Sequence, residues 1–103
     1  MLYVGLFLGS MSGAQAESFT NKDFLKLTDE QKSHYIFAMT DTLGFVAAYK
    51  NKKIGRCVWE WYSKSVAKAN GEIITYIEEY PEKSPSMIVI ALTEKECGNY
   101  VRN

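Results

Sequence analysis

Cys57 and Cys97 are the only two cysteines of this 103-residue chain, and they lie 40 positions apart. This spacing excludes a Cys-x-x-Cys redox motif and a cysteine knuckle around a metal ion. In an exported protein, the default for such a pair is one structural disulfide, which would stabilise the fold by about 4 kcal/mol because it closes a long loop. Two free thiols are the alternative, although no flanking residue favours a reactive cysteine.

The N-terminal segment predicts export. Residues 2–8 are apolar apart from one glycine, and Ala14 and Ala16 fit the Ala-x-Ala pattern of a signal-peptidase site. The sequence therefore predicts a signal peptide at residues 1–16, cleaved after Ala16, and a periplasmic mature protein with a single helical domain over residues 17–103. The apolar segment is shorter than the roughly 20 residues that a membrane-spanning helix needs. No further apolar run reaches that length, so the mature form is expected to have no membrane association. A buried N-terminal strand or helix is the alternative.

Two cap signals organise the first half of the mature chain. Thr20 or Asn21 can open a short N-terminal helix. Thr28 and Gln31 form a capping box, which predicts a long helix from there to about Lys50.

The second half is predicted to hold two further helices. Residues 51–56 are predicted as a polar turn, and a second helix is predicted over residues 63–80, ended by Pro81. Ser84-Pro85 favours a third helix that closes on Cys97, although the apolar run at residues 87–92 would also suit a buried strand. The predicted fold class is therefore all-α, a small bundle of three main helices plus a short N-terminal helix, with one disulfide.

The long helix carries apolar residues over an arc of about 200° when it is projected at 100° per residue. An arc this wide predicts a central helix with neighbours on more than one side. The polar remainder includes Thr40 and Gly44. The arc consists of Tyr35, Ile36, Ala38, Met39, Leu43, Phe45, Val46, Ala47 and Tyr49.

Composition and spacing argue against an enzyme. Twelve basic and twelve acidic residues give a formal net charge of zero, so no overall field attracts nucleic acid or an anionic membrane. The only histidine, His34, lies about 10 Å along the helix axis from Asp41, too far for a direct hydrogen bond. We expect His34 to be solvated and Asp41 to bond a neighbouring loop backbone. No catalytic residue, metal site or cofactor is predicted.

Charge is divided unevenly along the chain, and this division is the main bottom-up indication of function. Residues 50–68 contain six basic residues and one acidic residue, whereas residues 72–82 contain four glutamates and no basic residue. Lys64 and Lys68 would begin the second helix and so oppose its macrodipole. The bipolar pattern is typical of a surface that orients a protein partner, and Trp and Tyr are residue types that anchor interfaces. The candidate partner-binding residues are Lys52, Lys53, Arg56, Trp59, Trp61 and Tyr62. Two solvated faces, with the aromatic side chains packed in the core, are the alternative.

Three stretches of the chain form a recognisable layout. A cysteine, Cys57, opens the middle stretch, and residues 73–81 followed by the apolar run 87–92 and Cys97 form the last. The first stretch is carried by Phe24-Leu25, Leu27-Thr28, Lys32, Tyr35 and Asp41. Together they resemble a family of small exported helical proteins, the Tai/Rap-type immunity proteins that neutralise type VI secretion amidases.

The resemblance implies a non-enzymatic, periplasmic protein that binds a protein partner, such as a cell-wall amidase effector. It would act by plugging the effector's cleft with the turn after the long helix, residues 50–62. HdeA-like acid-stress chaperones have a similar size and compartment and are the alternative, as is an envelope protein of another role. Nucleic acid is not an expected partner, and a homodimer is left open.

Overall fold

A computed structural model describes residues 19–101 of the chain, and all regular secondary structure in this range is helical. The all-α class and the Cys57–Cys97 disulfide are confirmed. The predicted signal peptide, residues 1–16, and its cleavage site after Ala16 lie outside the described residues. The helices are α1 (Asn21–Phe24), α2 (Asp29–Lys50), α3 (Lys52–Lys64), α4 (Val66–Glu79) and α5 (Pro85–Cys97).

The predicted cap residues begin and end the helices as expected. The hydroxyl of Thr20 accepts from the third helical residue of α1, and Thr28 does the same for Gln31, each within a complete capping box. Ser84 caps α5 with a proline in its first turn, and Gly98 ends α5 at a φ of 108°, a backbone conformation that favours glycine. The apolar run at residues 87–92 is therefore helical and not a strand.

The polar turn predicted over residues 51–56 is wrong, because helix α3 already begins at Lys52. One residue, Asn51, connects α2 to α3. Its backbone N–H donates to the carbonyl of Ala47 at 2.8 Å, and its side-chain oxygen accepts from the N–H groups of Lys53 and Ile54. Asn51 therefore caps both the end of α2 and the start of α3. Because this one residue serves both ends, no further residues are needed to connect the two helices.

The second predicted helix, residues 63–80, is also divided differently. Ser65 lies between α3 and α4 in an extended conformation, so Lys64 ends α3 and does not begin α4. The positive charge of Lys64 therefore complements the α3 macrodipole, whereas Lys68 remains in the first turn of α4. Residues 19–101 thus contain four longer helices where the sequence predicted three.

Two apolar clusters hold the helices together. The smaller cluster consists of Ala47, Val58 and Tyr100, close to the disulfide, because Cys97 packs against it. The larger cluster draws on α1, α2, α3, α4 and α5 and contains Phe24, Ile36, Tyr62, Ala69, Ile73, Ile77, Ile88, Val89 and Leu92.

None of the described helices is long and apolar enough to cross a bilayer.

The predicted burial of α2 is partly wrong. Its buried stripe includes Thr40 and Gly44, which the sequence placed on the polar side, while Phe45, Val46 and Tyr49 are exposed. The physical reason is that α2 and α3 pack through small residues. A Cβ atom added at Gly44 would lie 3.6 Å from the side chain of Val58, and α3 approaches more closely still at Gly55.

The C-terminal residues fold back onto α5. The buried hydroxyls of Thr93 and Tyr100 are hydrogen-bonded at 2.6 Å, and the carboxylate of Glu94 accepts from the N–H groups of Tyr100 and Val101 at 3.0 Å. Burial raises the pKa of Tyr100, and the neighbouring Glu94 carboxylate raises it further, while the hydrogen bond with Thr93 opposes this shift.

This raised pKa predicts a loss of stability in alkaline solution. The contribution of Tyr100 is complete below the pKa of an unfolded tyrosine, about 10, and is lost as the pH rises through the higher pKa of the folded state. We expect urea midpoints of the native protein to fall above about pH 10. The Tyr100→Phe variant should fall less steeply over the same range, and an identical slope would contradict this assignment.

Candidate functional site

The hairpin of α2 and α3 presents the most distinctive surface of the described chain. Lys52, Lys53 and Arg56 are exposed on α3, and Trp59 on the same helix is 42% exposed. These four positions lie within about 120° of one another around the helix axis, opposite the buried Val58. The structure therefore brings four of the six predicted partner-binding residues onto one face.

Two aromatic residues that the sequence analysis assigned to the core belong to this end of the hairpin. Phe45 is 71% exposed and Tyr49 is 89% exposed, and their rings lie 6.3 Å apart on the last two turns of α2. Because only Asn51 separates α2 from α3, Tyr49 lies within one helical turn of Lys52 along the chain. Exposed apolar side chains that meet on a protein surface can mark an interaction site.

A further aromatic contact joins the two helices. The ring of Phe37 on α2 meets Trp59 on α3 edge to face, with centroids 6.1 Å apart, and both side chains are partly exposed. We use the term hairpin surface for seven of the exposed aromatic and basic residues of α2 and α3, namely Phe37, Phe45, Tyr49, Lys52, Lys53, Arg56 and Trp59.

The other two predicted partner-binding residues do not belong to the hairpin surface. Tyr62 is 1% exposed, and its hydroxyl donates to the side-chain oxygen of Asn70 at 2.8 Å. Burial raises the pKa of Tyr62, and the hydrogen bond with Asn70 opposes the shift. Trp61 is half-buried and packs against the larger core. Truncating Trp61 would therefore be expected to cost stability as well as any contact with a partner.

Charge on the hairpin surface is predominantly basic. Glu60 is the single acidic residue of α3, against four lysine or arginine residues. Lys52 and Lys53 occupy the first turn of α3, where a positive charge opposes the helix macrodipole at a cost of roughly 0.3–1 kcal/mol each. Their position therefore does not contribute to the stability of the helix.

The hairpin is rigid at the point where these residues lie. A Cβ atom at Gly55 would fall 2.6 Å from the Cα atom of Ala48, so the two helix backbones are in direct contact there. The disulfide joins Cys57 in the middle of α3 to Cys97 at the end of α5, with the two Cα atoms 5.7 Å apart. An interface presented on such a scaffold loses little conformational entropy on binding.

His34 and Asp41, the acid-base pair considered in the sequence, remain apart in the structure. His34 and Asp41 are both exposed on α2, and no hydrogen bond joins them. The expectation that Asp41 bonds a loop backbone is wrong, since its side chain has no such partner within residues 19–101. In the same range, no group of three or more His, Cys, Asp or Glu side chains is arranged to hold a metal ion.

Sequence reasoning could have found Phe45 and Tyr49 only through the connection between the helices. Both lie in the apolar arc of α2. This arc is so wide that the sequence does not show which part of it packs against another helix. The helical pattern of residues 52–64, with Val58 and Tyr62 on one side and the basic residues on the other, was the available signal for a hairpin.

A scan against protein-family models, a search of curated proteins and a search of solved structures each gave no match for this chain. The resemblance to immunity proteins of type VI secretion amidases therefore rests on the sequence motifs alone.

Proposed function

We propose that this protein is a non-enzymatic, exported binding protein, and that it inhibits a type VI secretion amidase effector through the hairpin surface. The observation that carries the proposal is the pair of exposed aromatic side chains, Phe45 and Tyr49, at the end of α2. Asn51 alone joins this end to the first turn of α3, which carries Lys52 and Lys53, on a closely packed hairpin. Exposed aromatic residues surrounded by charge are the usual anchors of protein interfaces.

The geometry suits an inhibitor that inserts into a cleft. A helical hairpin is narrow at its tip, and here the tip consists of the end of α2, Asn51 and the start of α3. Tyr49 and Phe45 would fill apolar parts of the cleft, while Lys52, Lys53 and Arg56 would face acidic groups at its rim. The inserted element is then a helical hairpin and not the loop over residues 50–62 that the sequence predicted.

Steric occlusion requires no chemistry from the inhibitor. Blocking a hydrolase cleft needs only a rigid shape that excludes the substrate and enough buried contact to persist. Electrostatic attraction between the basic hairpin surface and an acidic cleft would raise the association rate more than the affinity, and salt would weaken it.

The experiment measures peptidoglycan hydrolysis by a panel of purified type VI amidase effectors, with and without the exported form of this protein. We expect one effector class to be inhibited at a one-to-one molar ratio. If no effector is inhibited while the protein is folded and oxidised, the immunity role is wrong.

Substitutions in the hairpin surface test the assignment of the binding residues. Tyr49→Ala and Phe45→Ala should each weaken the affinity for the inhibited effector by about 30-fold, the effect of removing an interface hot spot of about 2 kcal/mol. Thermal unfolding should hardly change, because both side chains are exposed.

A charge reversal separates electrostatic attraction from packing. Lys52→Glu should slow association with the effector, and the effect should shrink at high salt. Lys26→Glu is the matched control, since Lys26 is an exposed lysine beside α1, at the opposite end of α2 from the hairpin tip. Equal effects of the two reversals would remove Lys52 from the binding surface.

A further inference from the structure

A groove between α4 and α5 forms a second candidate site, on residues that the hairpin surface does not use. Its cavity volume is about 330 Å³, at the small end of the range for ligand pockets. The residues that line it are Tyr76, Tyr80, Lys83, Met87, Ile88, Ala91, Leu92 and Lys95.

Helical spacing explains why the groove forms. Met87, Ala91 and Lys95 recur every four residues along α5, so they lie on one stripe of the helix. Tyr76 on α4 and Tyr80, which directly follows α4, line the opposite wall. Ala91 is the smallest side chain of its stripe, and it leaves open space between its two longer neighbours.

The floor of the groove is apolar and continuous with the core. Ile88 and Leu92 belong to the larger core cluster and are almost fully buried, so they cannot move aside. Met87 is 53% exposed at the edge. An apolar ligand on this floor would remove both its own surface and that of Met87 from water.

The charged side chains that line the groove are all basic. Two of the lining residues are lysines and none is acidic. Lys83 precedes α5 and Lys95 lies in its last turn, so the apolar floor runs between two cations, with about 12 Å of helix from position 87 to position 95. This arrangement is complementary to a ligand with an apolar body and an anionic end.

We propose that this groove binds a single-chain anionic amphiphile, with its apolar chain on Ile88 and Leu92 and its headgroup at Lys83 or Lys95. The small volume suits one linear chain. A partner helix would bring a row of side chains at three- and four-residue spacing and would need a longer and wider groove.

The test uses the oxidised protein and isothermal titration with dodecanoate and dodecyl phosphate, each below its micelle concentration. We expect one-to-one binding of at least one of the two, and their relative affinity distinguishes a carboxylate from a phosphate headgroup. Dodecyltrimethylammonium has the same chain with a positive headgroup and should bind at least about tenfold more weakly. Equal affinity for the cationic and anionic amphiphiles, or no binding of either anion, would overturn the proposal.

Variants locate the ligand. Ala91→Trp should abolish binding because the indole fills the groove, and Ala91 is exposed, so folding should be retained. The double variant Lys83→Glu/Lys95→Glu should bind the anionic amphiphiles about tenfold more weakly. The control variant Lys26→Glu/Lys68→Glu makes the same change in net charge at lysines outside the groove, and its affinity for them should be unchanged. Unchanged binding in Ala91→Trp would overturn the proposal. A dimer of the native protein that dissociates in Ala91→Trp would also overturn it, since the groove would then belong to a second copy of the chain.

Discussion

Replacing both cysteines, in the Cys57→Ser/Cys97→Ser variant, is expected to lower the free energy of unfolding by about 4 kcal/mol. The bond closes a loop over a sequence separation of 40 and joins the middle of α3 to the end of α5. Without it, the unfolded chain gains conformational freedom, while the folded chain gains little. For a domain of this size, the thermal midpoint should fall by about 20 °C.

The loss should be concentrated in the smaller core cluster. Val58 and Tyr100 belong to the two segments that the bridge joins, and Cys97 itself packs against them. Urea unfolding of the variant, followed by circular dichroism, gives the overall change. Amide exchange should show the largest loss of protection at residues 98–101.

The native protein treated with a thiol reductant is the matched control, because it breaks the bond without changing a side chain. Its midpoint should agree with that of the double variant. If reduction leaves the midpoint within about 3 °C of the oxidised protein, a change that corresponds to well under 1 kcal/mol, the bridge does not supply the expected stability.

Local signals in the sequence were sufficient for the helix ends, because caps depend on a few neighbouring residues. The side chain of Gln31 accepts from the backbone N–H of Thr28 at 3.0 Å, and the Thr28 hydroxyl accepts from the backbone N–H of Gln31 at 3.1 Å. This reciprocal pair of hydrogen bonds requires no tertiary contact. The bond between Cys57 and Cys97 was equally accessible, since two cysteines allow one intramolecular pairing.

Burial could not be predicted in the same way, since it depends on which helix faces which. Phe45 and Thr40 illustrate this: the aromatic residue is exposed and the threonine is buried, the reverse of what hydropathy predicts. Hydropathy indicates for which residues burial is favourable, but the close packing of α2 and α3 determines which side chains are buried. The short connection through Asn51 sets that packing, whereas the polar sequence of residues 51–56 predicts a longer turn.

The residues of the candidate site could be predicted only in part, because their exposure also depends on how α2 and α3 pack. The basic residues of α3 were identified from the charge pattern, which is local in sequence. Phe45 and Tyr49 complete the hairpin surface because they lie outside both apolar clusters of the structure. Tyr62 was included because aromatic residues suit both interfaces and cores, and the sequence offered no means to separate these environments.

Gly55→Ala is expected to lower the free energy of unfolding by about 2 kcal/mol, although alanine is the better helix former. The new Cβ atom would fall 2.6 Å from the Cα atom and 2.7 Å from the backbone nitrogen of Ala48, besides meeting its methyl group. Backbone atoms in a helix cannot rotate away, so α2 and α3 must separate. Separation would open the contact between Gly44 and Val58 and would shift the tip of the hairpin.

Gly71→Ala is the matched control for this prediction. Gly71 is also within a helix, it is exposed, and an added Cβ atom meets nothing within 4 Å. The same substitution should therefore raise the free energy of unfolding by about 0.5–1 kcal/mol, because only the backbone entropy changes. The propensity term is common to both sites, so the difference between the two variants measures the steric clash between α2 and α3. Urea midpoints that shift in the same direction for both variants would show that the two helices are not in backbone contact at Gly55. The proposed inhibitory surface depends on a rigid hairpin, and without this contact the hairpin would not be rigid.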